Sequence, residues 1–235
     1  MEQLLKKLDR SRVPAHVAVI MDGNRRWAKT KGLPVAVGHA RGVESVRAVV
    51  KTASDLGVKA LTIYAFSTEN WNRSRIEVGA LMLLLKKAIT EYGRDLGDNN
   101  VRLMISGRLA EIPASSRKAV LGTVAKLKDN TGMILNIALN YGGRQEILDA
   151  VNALLERGVK KIDENSFARE LYTWPLPDPD LLIRTSGEMR LSNFLLWQTA
   201  YSEFYITGAL WPDFREKQFI EALLDYQDRE RRRGQ

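Results

Sequence analysis

With 235 residues, 45% of them hydrophobic, the chain can bury a substantial core, and no proline-rich, glycine/serine-rich or repetitive segment marks a linker, so a single domain over 1–235 is expected. The absence of cysteine excludes disulfides and thiolate metal sites, the start Met1-Glu2-Gln3-Leu4-Leu5-Lys6-Lys7 has no apolar signal core, and the longest apolar stretch, Ala80 to Leu85, is far short of the roughly 18 residues of a bilayer span, which points to a cytoplasmic protein, at most peripheral at the inner face of the membrane. A net charge of +8 favours an anionic partner, and because the prominent arginines sit in short Gly/Asn/Ser-containing motifs at element boundaries, a compact phosphate pocket is expected and a nucleic-acid partner is not.

The first informative element is the apolar, β-branched run from His16, read as a strand to Met21 that ends in Asp22-Gly23-Asn24-Arg25-Arg26-Trp27. Gly23 permits a sharp turn and close approach of a ligand, the helix that follows offers its positive end to an anion, and Arg25 and Arg26 add fork-shaped charged donors. Asp22 beside a phosphate is repulsive unless a hard cation lies between, so Mg2+ bridging Asp22 and a diphosphate is expected. A surface turn capped by Asp and Asn is the alternative. His16 reads as structural; His39, after Gly38 at a helix start, reads as an anion contact or as a cap.

A helix is expected over Ala40 to Leu56, then a strand over Ala60 to Phe66 leading into Ser67-Thr68-Glu69-Asn70-Trp71-Asn72-Arg73. Ser67, Asn70, Trp71 and Arg73 offer hydroxyl, amide, indole and guanidinium groups to a ligand, while Ser67 and Asn70 equally fit an imperfect capping box. The helix Ile76 to Leu96 is apolar nearly all round from Ile76 to Ile89, which predicts burial on every side. It is read either as a central core helix or as one that packs on the sheet and, with Leu103, Ile105, Leu135, Ile137 and Leu139, walls a deep apolar tunnel.

Further strands are expected at Val101 to Ser106, Ile134 to Asn140, Asp180 to Arg184 and Glu203 to Thr207, and helices at Ser115 to Lys128, Arg144 to Arg157, Glu164 to Tyr172 and Glu216 to Arg232. The alternation predicts an α/β fold: an open, mainly parallel central sheet of about six strands flanked by helices, with an apolar tunnel. Ligands in such sheets bind at the carboxyl ends of strands, where Asp22, Ser67 to Arg73, Asn140 to Arg144 and Arg184 to Ser192 fall. Arg184 and Arg190 flank a Gly turn with Ser192 two residues on, an arrangement suited to a diphosphate. Glu203, an acid in the aromatic run Tyr201-Ser202-Glu203-Phe204-Tyr205, is expected to meet a cation or an arginine.

Together these motifs resemble the cis-prenyltransferase family, whose bacterial type member is undecaprenyl diphosphate synthase. The resemblance spans essentially the whole chain and is carried by Met21-Asp22-Gly23-Asn24, Gly38-His39, Tyr64 to Arg73, Asn140-Tyr141-Gly142-Gly143-Arg144, Arg184 to Phe194 and Trp211-Pro212-Asp213-Phe214. It implies a homodimeric Mg2+-dependent transferase that lengthens an allylic diphosphate, usually farnesyl diphosphate, with isopentenyl diphosphate units, each new double bond being cis. By the same resemblance Asp22 would hold Mg2+ and help the allylic diphosphate leave. Asn24, Arg26, His39 and Arg73 would contact that diphosphate, Gly23 and Arg25 would add backbone contacts, and Trp27 and Glu69 would also belong to the substrate-binding residues. Arg184, Arg190 and Ser192 would hold isopentenyl diphosphate, with Glu203 and Arg232 supplied by the other subunit, Glu203 to the metal and Arg232 to the substrate. Phe66 and Trp71 would shape the apolar mouth, and Ser67 and Asn70 would order the reacting groups. A shorter-chain synthase and a non-catalytic partner subunit of the same fold are the alternatives. Two positions depart from the family pattern: Val35 stands where a basic residue is common, and Met189 occupies a variable position that is sometimes histidine.

Overall fold

In the computed structural model, which describes residues 1–229, β1 (His16–Ile20), β2 (Ala60–Ser67), β3 (Arg102–Ser106), β4 (Ile134–Tyr141), β5 (Leu181–Arg184) and β6 (Glu203–Ile206) form one open sheet in the order β3-β4-β2-β1-β5-β6. Every neighbouring pair is parallel. Parallel strands need crossover connections, and the helices between them cover both faces. These are α1 (Glu2–Lys7), α2 (Asn24–Thr30), α3 (Val35–Leu56), α4 (Arg75–Asp98), α5 (Ala114–Leu127), α6 (Gly143–Glu156), α7 (Glu164–Ala168) and α8 (Glu216–Gln227).

The pleat sends alternate residues to two cores. Val17, Val19, Leu61, Ile63, Leu135, Ile137, Leu181 and Ile183 join the larger core beneath α3, α4, α5 and α8. Ala18, Ile20, Ala138, Tyr141 and Leu182 face the other way, against Phe194 and Leu195 of the segment that follows β5. On this second face a polar chain crosses the sheet: His16 Nδ1 is 2.6 Å from the Pro177 carbonyl, and its Nε2 is 2.7 Å from the Thr62 hydroxyl. Asn136 donates to Thr62 at 3.2 Å, and Ser106 donates to Asn136 at 3.0 Å. With Nδ1–H donating to the carbonyl, Nε2 accepts from Thr62, so the neutral imidazole is satisfied, as its structural reading expected.

Boundaries shift where capping rather than periodicity decides them. α3 starts at Val35 behind Pro34 instead of at Ala40, and α7 ends at Ala168, well short of Tyr172. One expectation is overturned. α4 is not buried on every side, since Ile76 is 87% and Leu83 68% exposed while Val78, Met82, Ile89 and Leu96 are buried.

Candidate active site

In β1 and β5, neighbours whose onward connections run to opposite sides of the sheet, the carboxyl ends diverge into a crevice of the kind that receives ligands in open parallel sheets. Asp22 follows β1 and Arg184 ends β5; a guanidinium nitrogen of Arg184 lies 2.9 Å from Asp22 Oδ2. Gly23 between β1 and α2 has φ of +113°, and a Cβ there would lie 3.0 Å from Leu210, so only glycine lets α2 start directly behind Asp22. The Thr185 hydroxyl and the Trp211 amide donate to the Asp22 carbonyl at 2.6 and 3.0 Å, which stitches three loops together beneath the carboxylate.

Arg184 is only 3% exposed and anchors the first basic cluster. It donates to the Ser192 hydroxyl at 2.7 Å and to the Arg190 carbonyl. Arg26 extends from α2 into the same cluster, donating to the Ser186 hydroxyl at 2.6 Å and lying 3.5 Å from Asp22 and 3.1 Å from Glu188, which also pairs with Arg190. Burial pushes the Asp22 carboxyl up, but the hydrogen bond and charge of Arg184, with Arg26 behind them, outweigh it and hold the group below the usual carboxylate range. Asp22 is therefore ionised at neutral pH.

A second basic cluster lies on the α3 and α4 side. Arg73 and Arg25 share Glu77 at 3.0 and 3.8 Å. His39 stands beside them, its imidazole pushed below its ordinary value by burial and then by the Arg73 charge, so it is neutral at pH 7. Asn24 Oδ1 and His39 Nε2 are buried without a hydrogen-bond partner among the described residues. Both line the mouth of an apolar cavity that runs between α3, α4 and the sheet, past Phe66, Leu85 and Ile89 to Leu96, Leu103 and Leu135. Orphaned polar atoms at the entrance of an otherwise apolar cavity suit a ligand with a polar head and a hydrocarbon tail. Along α4 from Leu81 to Leu96 the cavity is walled for about 22 Å.

The turn after β2 is ordered by the capping box that the sequence offered: Asn70 Oδ1 accepts from the Ser67 amide at 3.3 Å. It presents Trp71, whose indole donates to Asn140 Oδ1 at 2.7 Å and stands edge-on to Phe66 with ring centres 5.1 Å apart. Glu69 accepts from Asn193 at 2.8 Å, tying this turn to the segment carrying Ser192. Two residues are not brought into either cluster. Trp27 donates to Asp213 at 2.9 Å, and Glu203 pairs with Arg229 at 2.9 Å. Glu203 thus meets the arginine its aromatic surroundings demanded, but it opens β6 opposite Leu181, at the end of the sheet away from Asp22. Arg232 lies outside the described residues.

Residues 20–234 match the family model described as putative undecaprenyl diphosphate synthase. The chain is similar to an isoprenyl transferase of Bacillus subtilis, 50% identical over 94% of this chain and 88% of that one, and to one of Clostridium perfringens, 49% identical over 95% and 90%. It belongs to the cis-prenyltransferase family. Among solved structures, lavandulyl diphosphate synthase from Lavandula x intermedia in complex with dimethylallyl diphosphate superimposes with a TM-score of 0.92 at 38% identity, covering 96% of this chain and 100% of that one. A probable undecaprenyl diphosphate synthase from Campylobacter jejuni gives 0.81 at 31% identity, covering 94% and 99%.

This isoprenyl transferase also uses residues that the sequence reading did not single out. Glu77 balances the second basic cluster, and its spacing of four from Arg73 on a helix was the available signal. Glu146 is fully buried on the apolar stripe Gly143, Glu146, Ala150 and Leu154 of α6, where an acid demands partners. It accepts from the Tyr141 hydroxyl, from Gln198 at 3.0 Å and from the Tyr172 amide at 3.0 Å. Gln198 and Phe194, the latter stacked on Tyr64 at 4.4 Å, hold the segment in which Ser192, Asn193 and Leu195 take positive φ values of 49, 62 and 45°. Such backbone is costly and persists where packing imposes it. Glu146 is therefore a positioning residue for the loop carrying Arg190 and Ser192.

Proposed function

We propose that this transferase condenses an allylic diphosphate, with farnesyl diphosphate as primer, with successive isopentenyl diphosphate units to give a long polyprenyl diphosphate of undecaprenyl size for cell-wall biogenesis. The reading rests on one observation: an ionised Asp22 gripped by one basic cluster stands two residues before Asn24, which with His39, beside a second basic cluster, lines the mouth of an apolar cavity. Asn24 and His39 line the cavity and the Arg73 and Arg25 charges lie beside His39, so these four hold the allylic diphosphate whose tail enters it, as the relative solved with dimethylallyl diphosphate encourages. Arg184, Arg190 and Ser192 hold isopentenyl diphosphate, with Arg26 in the same cluster through Ser186, Asp22 and Glu188.

Chain growth breaks the C1–O bond of the allylic diphosphate, whose electron pair leaves with diphosphate. The C3–C4 double bond of isopentenyl diphosphate supplies the pair for the new bond to C1, and a proton leaves C2. Arginines preset around the leaving group stabilise the charge that develops on it, and holding both substrates in place removes most of the entropic barrier. Trp71 and Phe66 keep water from the mouth, while Ser67 and Asn70 fix the turn that carries Trp71.

Among the described residues no three His, Cys, Asp or Glu side chains converge on a metal site. The lone ionised carboxylate of Asp22 fits Mg2+, which is held by one or two carboxylates together with substrate phosphates and water. Asp22 would hold it, and the ion would supply Lewis-acid neutralisation of the departing diphosphate. Glu203 would join only from a second copy, across a homodimer built on the β6 edge, where Tyr201 and Phe204 are exposed. Retention of Asp22, Asn24 and Arg26 disfavours a non-catalytic partner subunit.

Incubation with farnesyl diphosphate, labelled isopentenyl diphosphate and Mg2+, followed by chromatography, tests the reading. A ladder ending in long polyprenyl diphosphates is expected. Absence of incorporation overturns the reading, and a product stopping after one or two additions replaces it with a short-chain synthase.

A further inference from the structure

The outward side of α4 does the opposite of what an outward helix face ordinarily does. Ile76, Ala80 and Leu83, at spacings of four and three, form an exposed apolar stripe that continues into Lys87 and Arg94. Together with Val35 and Ala36 at the start of α3, the stripe walls a surface groove whose far end is Lys87. Arg75 and Lys86 are exposed on the same helix. The acids do not neutralise this rim: Glu77 lines the groove but is paired with Arg73 at 3.0 Å and Arg25 at 3.8 Å, and Glu91 meets Lys87 only at 3.8 Å in solvent. His39, Leu81 and Leu84 line both this groove and the apolar cavity, so a single layer of side chains separates the two.

We propose that this face docks the enzyme on an anionic lipid bilayer, with Ile76 and Leu83 entering the headgroup and acyl boundary and Arg75, Lys86, Lys87 and Arg94 contacting lipid phosphates. Apolar side chains rimmed by cations are the chemistry of a surface that lies in a membrane interface, where lysine and arginine stems follow the apolar part and their heads reach anionic groups. The shared wall gives the location a purpose: a product that has filled the cavity leaves sideways between His39 and Leu84, into lipid and not into water. That exit rests on the proposed polyprenyl product; the docking itself does not.

The test is flotation of the full-length protein with vesicles of phosphatidylcholine alone and of phosphatidylcholine mixed with phosphatidylglycerol. Binding to the anionic vesicles, weakened by added salt, is expected, with little binding to the neutral ones. Ile76→Gln with Leu83→Gln is expected to reduce the bound fraction about tenfold, and Lys86→Glu with Lys87→Glu to do likewise, while both variants keep condensation activity in detergent. An active protein that fails to float, or an apolar double variant that floats undiminished, overturns the docking face. A changed oligomeric state in the Ile76/Leu83 variant also overturns it, by making the stripe a protein interface. Flotation by a protein without transferase activity overturns the proposed reaction and leaves the docking face standing.

Discussion

The two basic clusters of the site are built on different principles. The one around Arg184 is closed: its arginine is buried, both terminal guanidinium nitrogens are occupied by Asp22, Ser192 and the Arg190 carbonyl with only Nε left without a partner among the described residues, and its loop is pinned from below by Glu146. The one around Arg73 is open, with Asn24 Oδ1 and His39 Nε2 lacking partners and facing the cavity. Under the proposed function, the closed cluster would receive the same small diphosphate in every cycle, whereas the open one would release and regrip a head whose tail lengthens each time.

Asp22 is held by the closed cluster and lies two residues before Asn24 at the mouth of the open one, so its loss has the largest expected effect. Asp22→Ala is expected to lower turnover by roughly a hundred- to thousandfold, because the lost group acts on leaving-group charge, with the fold retained by circular dichroism. Removal of divalent ions by a chelator is expected to mimic it, with activity restored by Mg2+.

Glu146→Ala sharpens the contrast by loosening the closed cluster alone. Donors from Tyr141 and Gln198 are left buried and unpaired at a cost of about 3 kcal/mol, measurable by urea denaturation, and the KM for isopentenyl diphosphate is expected to rise more than that for the allylic substrate. Equal rises would remove Glu146 from the loop it is argued to hold.

Along the cavity, Leu84→Trp or Leu85→Trp is expected to shift products toward shorter chains by overfilling the wall. An unchanged ladder from both folded variants would place these residues outside the route of the growing tail.

The smallest effect lies away from both clusters. Burial holds the His16 imidazole below its ordinary value of 6.5, with the Pro177 carbonyl only partly opposing this. The unfolded chain therefore binds the proton first as pH falls. Stability is expected to be complete above the unfolded value and to decline below it, by up to about 1.4 kcal/mol per pH unit. Denaturation midpoints at pH 5 and 7 check this, and His16→Gln should flatten the difference.

Much of this contrast was legible in the sequence. The run Val17 to Ile20 announces a strand buried on both faces, and Gly23 behind Asp22 announces the turn, because both signals are local. The Ser67 and Asn70 capping box was equally readable. What escaped depends on partners far along the chain. Glu146 meets Gln198, and Arg26 meets Ser186, through topology that periodicity does not encode. α4 was misjudged for a related reason: apolar residues all round a helix look alike in sequence whether they face a core, a cavity or the surface, and here Met82, Leu85 and Leu83 do each in turn. α1 carries no buried residue and so left no apolar pattern to find.

The central claim is that the two clusters serve two different diphosphates, and the KM values of both substrates in Arg184→Ala and Arg73→Ala test it most directly. The account predicts opposite asymmetries: Arg184→Ala raises the KM for isopentenyl diphosphate by at least about tenfold with a smaller change for farnesyl diphosphate, and Arg73→Ala does the reverse. Equal increases for both substrates in both variants would contradict it.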